Sequence, residues 1–183
     1  MVKIIFKTSF ALVEGFLHLD YDQNFLDSKL LFLNDLLLSK QNELIFKLHE
    51  LTDLDSKHTF YEFWLIAGKY PSSPRPNLLN VNQDDSKILF DFCCLLTHNL
   101  FFENDFYDLF LSEYGINETR LEATVYFVAQ ELLLILLSSK DVDNLFLELK
   151  KDLFSKYLWD ELDFLKTKGL TFPLQKVFFE NLY

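Results

Sequence analysis

The chain of 183 residues and 21.8 kDa corresponds to one domain at ~150 residues per domain, so a multidomain enzyme is excluded. Lys and Arg number 17 against 28 Asp and Glu, and the resulting charge of −11 repels phosphate backbones; general nucleic-acid binding is disfavoured and a basic partner is favoured. Half of the residues are hydrophobic, including 21 Phe, and only four Gly and four Pro are present, which disfavours hairpin-rich and glycine-loop folds and leaves a mostly helical globular domain.

Residues 3–19 place Phe6, Phe10, Val13 and Leu17 at helical steps, and the spacing predicts a first amphipathic helix. The lysines and apolar residues of this stretch suggest a signal peptide, but Glu14 interrupts the run and no small-x-small cleavage site follows. Asp22 is a predicted cap for a second helix to about residue 39, with Phe25, Leu26, Leu30, Leu33 and Leu37 in phase, and a third covers about 41–51. Polar residues 51–57 interrupt the pattern. Residues 58–69, with Tyr61, Trp64 and Leu65 at helical spacing, then predict a short aromatic helix.

Three prolines, Pro71, Pro74 and Pro76, end any helix there and predict an extended loop at about 70–83. Asp84 caps the next predicted helix, to about 101, with Ile88, Phe92, Leu95 and Leu96 inward and the neighbours Cys93 and Cys94 read as buried small residues. Another helix covers about 104–114 up to Gly115. Asn117 or Thr119 starts a buried helix through Leu121, Val125, Val128, Leu132 and Ile135, the expected centre of the core. Asp141 caps a helix bearing Val142, Leu145, Leu149 and Leu153, which continues or kinks toward Lys168, and a last helix occupies about 172–182. The expectation is an all-α, single-domain bundle of about eight helices over residues 1–183, without a membrane span.

Catalytic and metal motifs are absent. None of His18, His49, His58 or His98 has Glu three residues before it, Asp55-x-x-His58 is the nearest approximation, and no Cys-x-x-Cys or Gly-x-Ser-x-Gly occurs. An enzyme is disfavoured and no cofactor is expected. Glu131 stands inside the most apolar helix, where it is either a buried site residue or part of a solvent stripe. Glu103, Asp105 and Asp108 form an acidic cluster able to steer a basic ligand.

An aromatic segment, His58-Thr-Phe-Tyr-Glu-Phe-Trp-Leu-Ile66, leads into Pro71-Ser-Ser-Pro74 and is followed by Glu113-Tyr-Gly-Ile116 and Ala129-Gln-Glu-Leu132. This layout in an acidic chain resembles the TorD/DmsD/NarJ group of redox-enzyme maturation chaperones. Tyr126 and Phe127 stand where that family carries Asp-His, so only Glu131 carries over. The resemblance implies a cytoplasmic chaperone that binds the twin-arginine signal peptide or N-terminal tail of a molybdenum-cofactor redox enzyme until its cofactor is inserted. Such a receptor needs an apolar groove with carboxylates at one end. Tyr61, Glu62, Phe63 and Trp64, the rim residues Pro71 and Pro74, and Glu131 are the candidate peptide-binding residues. The alternative is a helical interaction module of another class, such as a secretion chaperone, an immunity protein or a Bcl-2-like groove binder.

Overall fold

Lys3–Thr8 is a strand, β1, and not the opening turns of a helix. Ile4 and Phe6 are buried while Lys3 is exposed and Ile5 and Lys7 are half-buried, the two-residue period of a pleat. The computed structural model describes residues 2–8, 22–67, 71–105, 118–152 and 156–167. The rest of the first predicted helix, the helix at 104–114 beyond Asp105, Asp108, Gly115, Leu153, Gly169 and the last predicted helix lie outside the described residues.

The second and third predicted helices are one, α1, spanning Gln23–Thr52. Asp22 caps it as expected, its carboxylate accepting the Asn24 N–H at 2.9 Å. No Gly or Pro interrupts residues 38–41, so the backbone ladder continues through the point where the apolar pattern shifts phase. The helix stops at Asp53, which adopts a left-handed φ of 54° and returns its N–H to the His49 carbonyl at 2.8 Å.

Phe60–Ile66 forms the strand β2 where an aromatic helix is predicted. Aromatic and branched side chains suit a pleated surface, and alternate residues separate: Tyr61, Phe63 and Leu65 are buried, while Glu62 and Trp64 sit half-buried on the opposite face. β2 runs parallel to β1, with Ile4 opposite Tyr61 and Phe6 opposite Phe63. The predicted proline loop is instead a tight hairpin of β3, Ser73–Pro74, and β4, Asn77–Asn80. With β4 parallel to β2, the sheet order is β1-β2-β4-β3. Four helices follow: α2 Asp85–Glu103, α3 Glu118–Leu136, α4 Ser139–Asp152 and α5 Lys156–Thr167. The fold is therefore α/β, with five helices and a mixed four-stranded sheet among the described residues, which corrects the all-α bundle of about eight helices. The helical reading failed because short apolar runs satisfy both periods, and strand pairing across more than fifty residues leaves no local trace.

The core joins sheet to helices through an aromatic triad. Phe6 and Phe63 have ring centroids 5.8 Å apart, and Phe92 of α2 lies 5.3 Å from each. α2 starts on its expected cap, Asp84, whose carboxylate accepts the Lys87 N–H at 3.1 Å. Cys93 and Cys94 are buried free thiols on this helix, as read from the sequence. α3 packs against α1, α2, α4 and α5 and is central as expected.

Two polar ties hold the sheet in place. The Gln41 side chain accepts the Ile4 N–H at 2.8 Å and donates to the Val2 carbonyl at 3.4 Å, occupying backbone groups of the edge strand β1 and of the residue that leads into it. Glu103, whose side chain is 3 % exposed, accepts the backbone N–H groups of Lys57 and His58 at 3.0 and 3.1 Å and the Tyr61 hydroxyl. The C-terminus of α2 is thereby pinned to the lead-in of β2. We expect Phe92→Ala to lower the unfolding free energy by ~3–5 kcal/mol and Glu103→Gln by ~1–3 kcal/mol, both read from urea denaturation. An unchanged midpoint in either variant would refute the role given to that residue.

Candidate functional site

Successive turns of α2 present Phe90, Asp91, Cys94, Leu95 and His98 along one flank, about a third of a turn from the face that Phe92 seats on the sheet. α3 approaches that flank with Glu118, Leu121, Glu122 and Tyr126, and the β3 hairpin closes it with Ser72 and Pro74. Between them lies a cavity of about 430 Å³, the size of a pocket for a small ligand or one or two side chains. Among the described residues its walls carry three carboxylates and no lysine or arginine.

Asp91 is the deepest of the three. Its Oδ2 accepts the Ser72 hydroxyl at 2.5 Å and the Gln83 side-chain amide at 2.9 Å. Ser72 in turn accepts the Asn80 N–H at 3.0 Å, so the hairpin is latched to α2 through one carboxylate oxygen. Burial raises the Asp91 pKa above the usual carboxylate value, and the two hydrogen bonds pull it partly back. A second latch is the reciprocal amide pair of Asn77 and Asn99, at 3.1 and 2.9 Å, with Asn77 also donating to the Glu62 carbonyl.

The remaining walls are chemically quiet. Burial holds the Cys94 thiol far above its ordinary pKa, with the Asp91 charge adding to the effect, so it is not a thiolate nucleophile at neutral pH. His98 stacks on Phe102 with centroids 6.1 Å apart, and burial lowers its pKa to about 4. Tyr126 is edge-on to Phe90 at 5.1 Å and donates to Glu122 at 3.3 Å; burial first, then nearby negative charge, keeps its phenol above the ordinary range. Glu118 and Glu122 are exposed at the mouth. Among the described residues no group of three or more His, Cys, Asp or Glu is placed to hold a metal ion. The arrangement offers carboxylate acceptors above an apolar floor, which suits a cation carried on an apolar stem.

The residues singled out from the sequence do not gather here, Pro74 excepted. Tyr61 and Phe63 are buried in the core, and burial together with the Glu103 hydrogen bond holds the Tyr61 phenol above its normal range. Glu62 pairs with Lys7 on the other face of the sheet, and the Lys7 ammonium lies 5.3 Å from the Trp64 ring. Pro71 is exposed, and Glu131 is half-buried on α3 outside the cavity lining. Of the acidic cluster, Glu103 is committed to the β2 lead-in and Asp105 lies 3.8 Å from Lys57. Asp91, Glu118, Glu122, His98 and Tyr126 were missed as site residues. The spacing of Asp91, Cys94 and His98 on one flank of α2 was the available signal, but only the packing of α3 turns that flank into a site. No family model matches the chain, and neither curated proteins nor solved structures yield a match.

The depressed His98 pKa makes stability depend on pH with a definite sign. Between about 4 and the unfolded value of 6.5 the unfolded chain binds more protons, so stability is intact above pH 6.5 and falls as pH drops toward 4, by roughly 3 kcal/mol from this residue. Asp91, raised when folded, works in the opposite sense: its burial penalty at neutral pH is relieved as the carboxyl protonates. We expect His98→Gln to flatten the fall in urea midpoint between pH 7 and 4.5, and Asp91→Asn to steepen it. Identical profiles for wild type and His98→Gln would overturn the assignment.

Proposed function

We propose that this protein is a non-catalytic receptor for a basic and apolar polypeptide segment, seated in the cleft between β3, α2 and α3. One observation carries the reading: Asp91, Glu118 and Glu122 border a cavity of about 430 Å³ whose other described walls are largely apolar or aromatic, with no lysine or arginine among the described lining residues. A bound lysine or arginine stem lies against Phe90, Leu95, Leu121 and Tyr126, while its charge meets the carboxylates at the mouth and at Asp91. The net charge of −11 adds long-range attraction for such a segment and repels acidic competitors.

The carboxylates and apolar walls of the cleft support a positively charged, apolar-stemmed ligand, while the source of the ligand rests on the sequence resemblance. On that basis the client is the signal peptide or N-terminal tail of a molybdenum-cofactor redox enzyme, bound in the cytoplasm before export. Titration with twin-arginine signal peptides, followed by fluorescence anisotropy, is expected to give a dissociation constant on the order of 10 µM, weakening with added salt. The double variant Glu118→Lys/Glu122→Lys should lose about tenfold or more in affinity with its folding intact. Absence of salt-sensitive binding to any basic-apolar peptide would reject the receptor reading. Equal binding of a scrambled basic-apolar sequence would retain the receptor and remove the client.

A further inference from the structure

The outward face of α1 carries a feature unconnected with the cleft. Leu31, Leu38 and Phe46 are 64 %, 89 % and 70 % exposed, although each is large and apolar. At ~100° per residue they fall within roughly 80° of one another, on one stripe ~22 Å long. Asp35 and Asn42 complete the stripe, so it alternates apolar, polar, apolar, polar, apolar about Leu38. Single exposed leucines need no explanation, whereas a line of three on the longest described helix does.

The order of the stripe is close to a palindrome, and this identifies its occupant. A twofold axis beside Leu38 that sets a second α1 antiparallel to the first brings Leu31 opposite Phe46, Leu38 beside its own copy, and Asp35 opposite Asn42. Every large apolar residue then meets another, and the one acid inside the stripe faces an amide and not a carboxylate. The cations of α1 do not intrude: Lys40 and Lys47 are paired with Glu43 and Glu50 one turn on, and Lys29 with Asp85. A basic helix from another protein would find little unpaired acid inside this stripe.

We infer that α1 is the interface of a twofold homodimer, built on an antiparallel α1–α1 contact centred at Leu38. The contact is small and each chain carries −11, so association is concentration-dependent, on the order of 10 µM, and strengthens when salt screens the repulsion, including that between Asp27 and Glu50 at the rims. It leaves both clefts as they are and does not depend on their role.

Leu38→Cys tests the geometry, because the axis places this residue beside its own copy and the native Cys93 and Cys94 are buried. Under mild oxidation the variant should form a disulfide dimer, while Asn34→Cys on the edge of the stripe should not. Sedimentation equilibrium of the wild type should show a monomer–dimer equilibrium that tightens from 50 to 500 mM NaCl. Leu38→Glu, at an exposed position, should fold with an unchanged circular dichroism spectrum and dimerise at least tenfold more weakly. A wild type monomeric at 200 µM in high salt, or a dimer unaffected by Leu38→Glu, would overturn the inference.

Discussion

The position of Phe92 between Phe6 and Phe63 is the contact on which the rest of the structure depends. It settles the rotation of α2 about its own axis, and every other feature of that helix follows from this phase. Residues in register with Phe92 meet the sheet: Asn99 reaches Asn77 on β4, and Glu103 reaches the lead-in of β2. Residues about a third of a turn away form the wall of the cleft. A helix rotated by one residue would bury Asp91 against the sheet and carry Phe92 away from Phe6 and Phe63, losing the aromatic core and a hydrogen-bonded carboxylate together.

The cleft is consistent with this mechanical frame. Asp91 has a structural use, since one of its oxygens holds the β3 hairpin through Ser72 and Gln83, and it also lines the cavity. Burial keeps the neighbouring His98 uncharged at neutral pH, so this ring does not cancel the field of Asp91, Glu118 and Glu122. A wall that is apolar in area and negative in charge discriminates by sign through its carboxylates and by size through its volume.

α1 serves two masters along its length. One side carries Leu26, Leu33, Leu37, Leu44, Leu48 and Leu51 into the core, and Gln41 on the same helix satisfies the edge of β1. The opposite side retains Leu31, Leu38 and Phe46 in solvent. A helix required only to cover the sheet has no need of that second apolar line, because polar residues there would cost nothing in folding.

Local chemistry by itself determined the helix starts at Asp22 and Asp84, the inward faces of α2 and α3, and the burial of Cys93 and Cys94, because caps and the 3.6-residue period act within a few turns of chain. It also determined the acidic character of the chain, a net charge of −11. Only the tertiary structure decided that residues 3–8 and 60–66 are strands, since seven residues of mixed aromatic and aliphatic character fit either period until Phe6 pairs with Phe63 across the sheet. The same holds for the site. Asp91 belongs to α2 and Glu118 and Glu122 to α3, and their shared field exists only because α3 packs beside α2, a juxtaposition of distant segments that no spacing along one helix encodes.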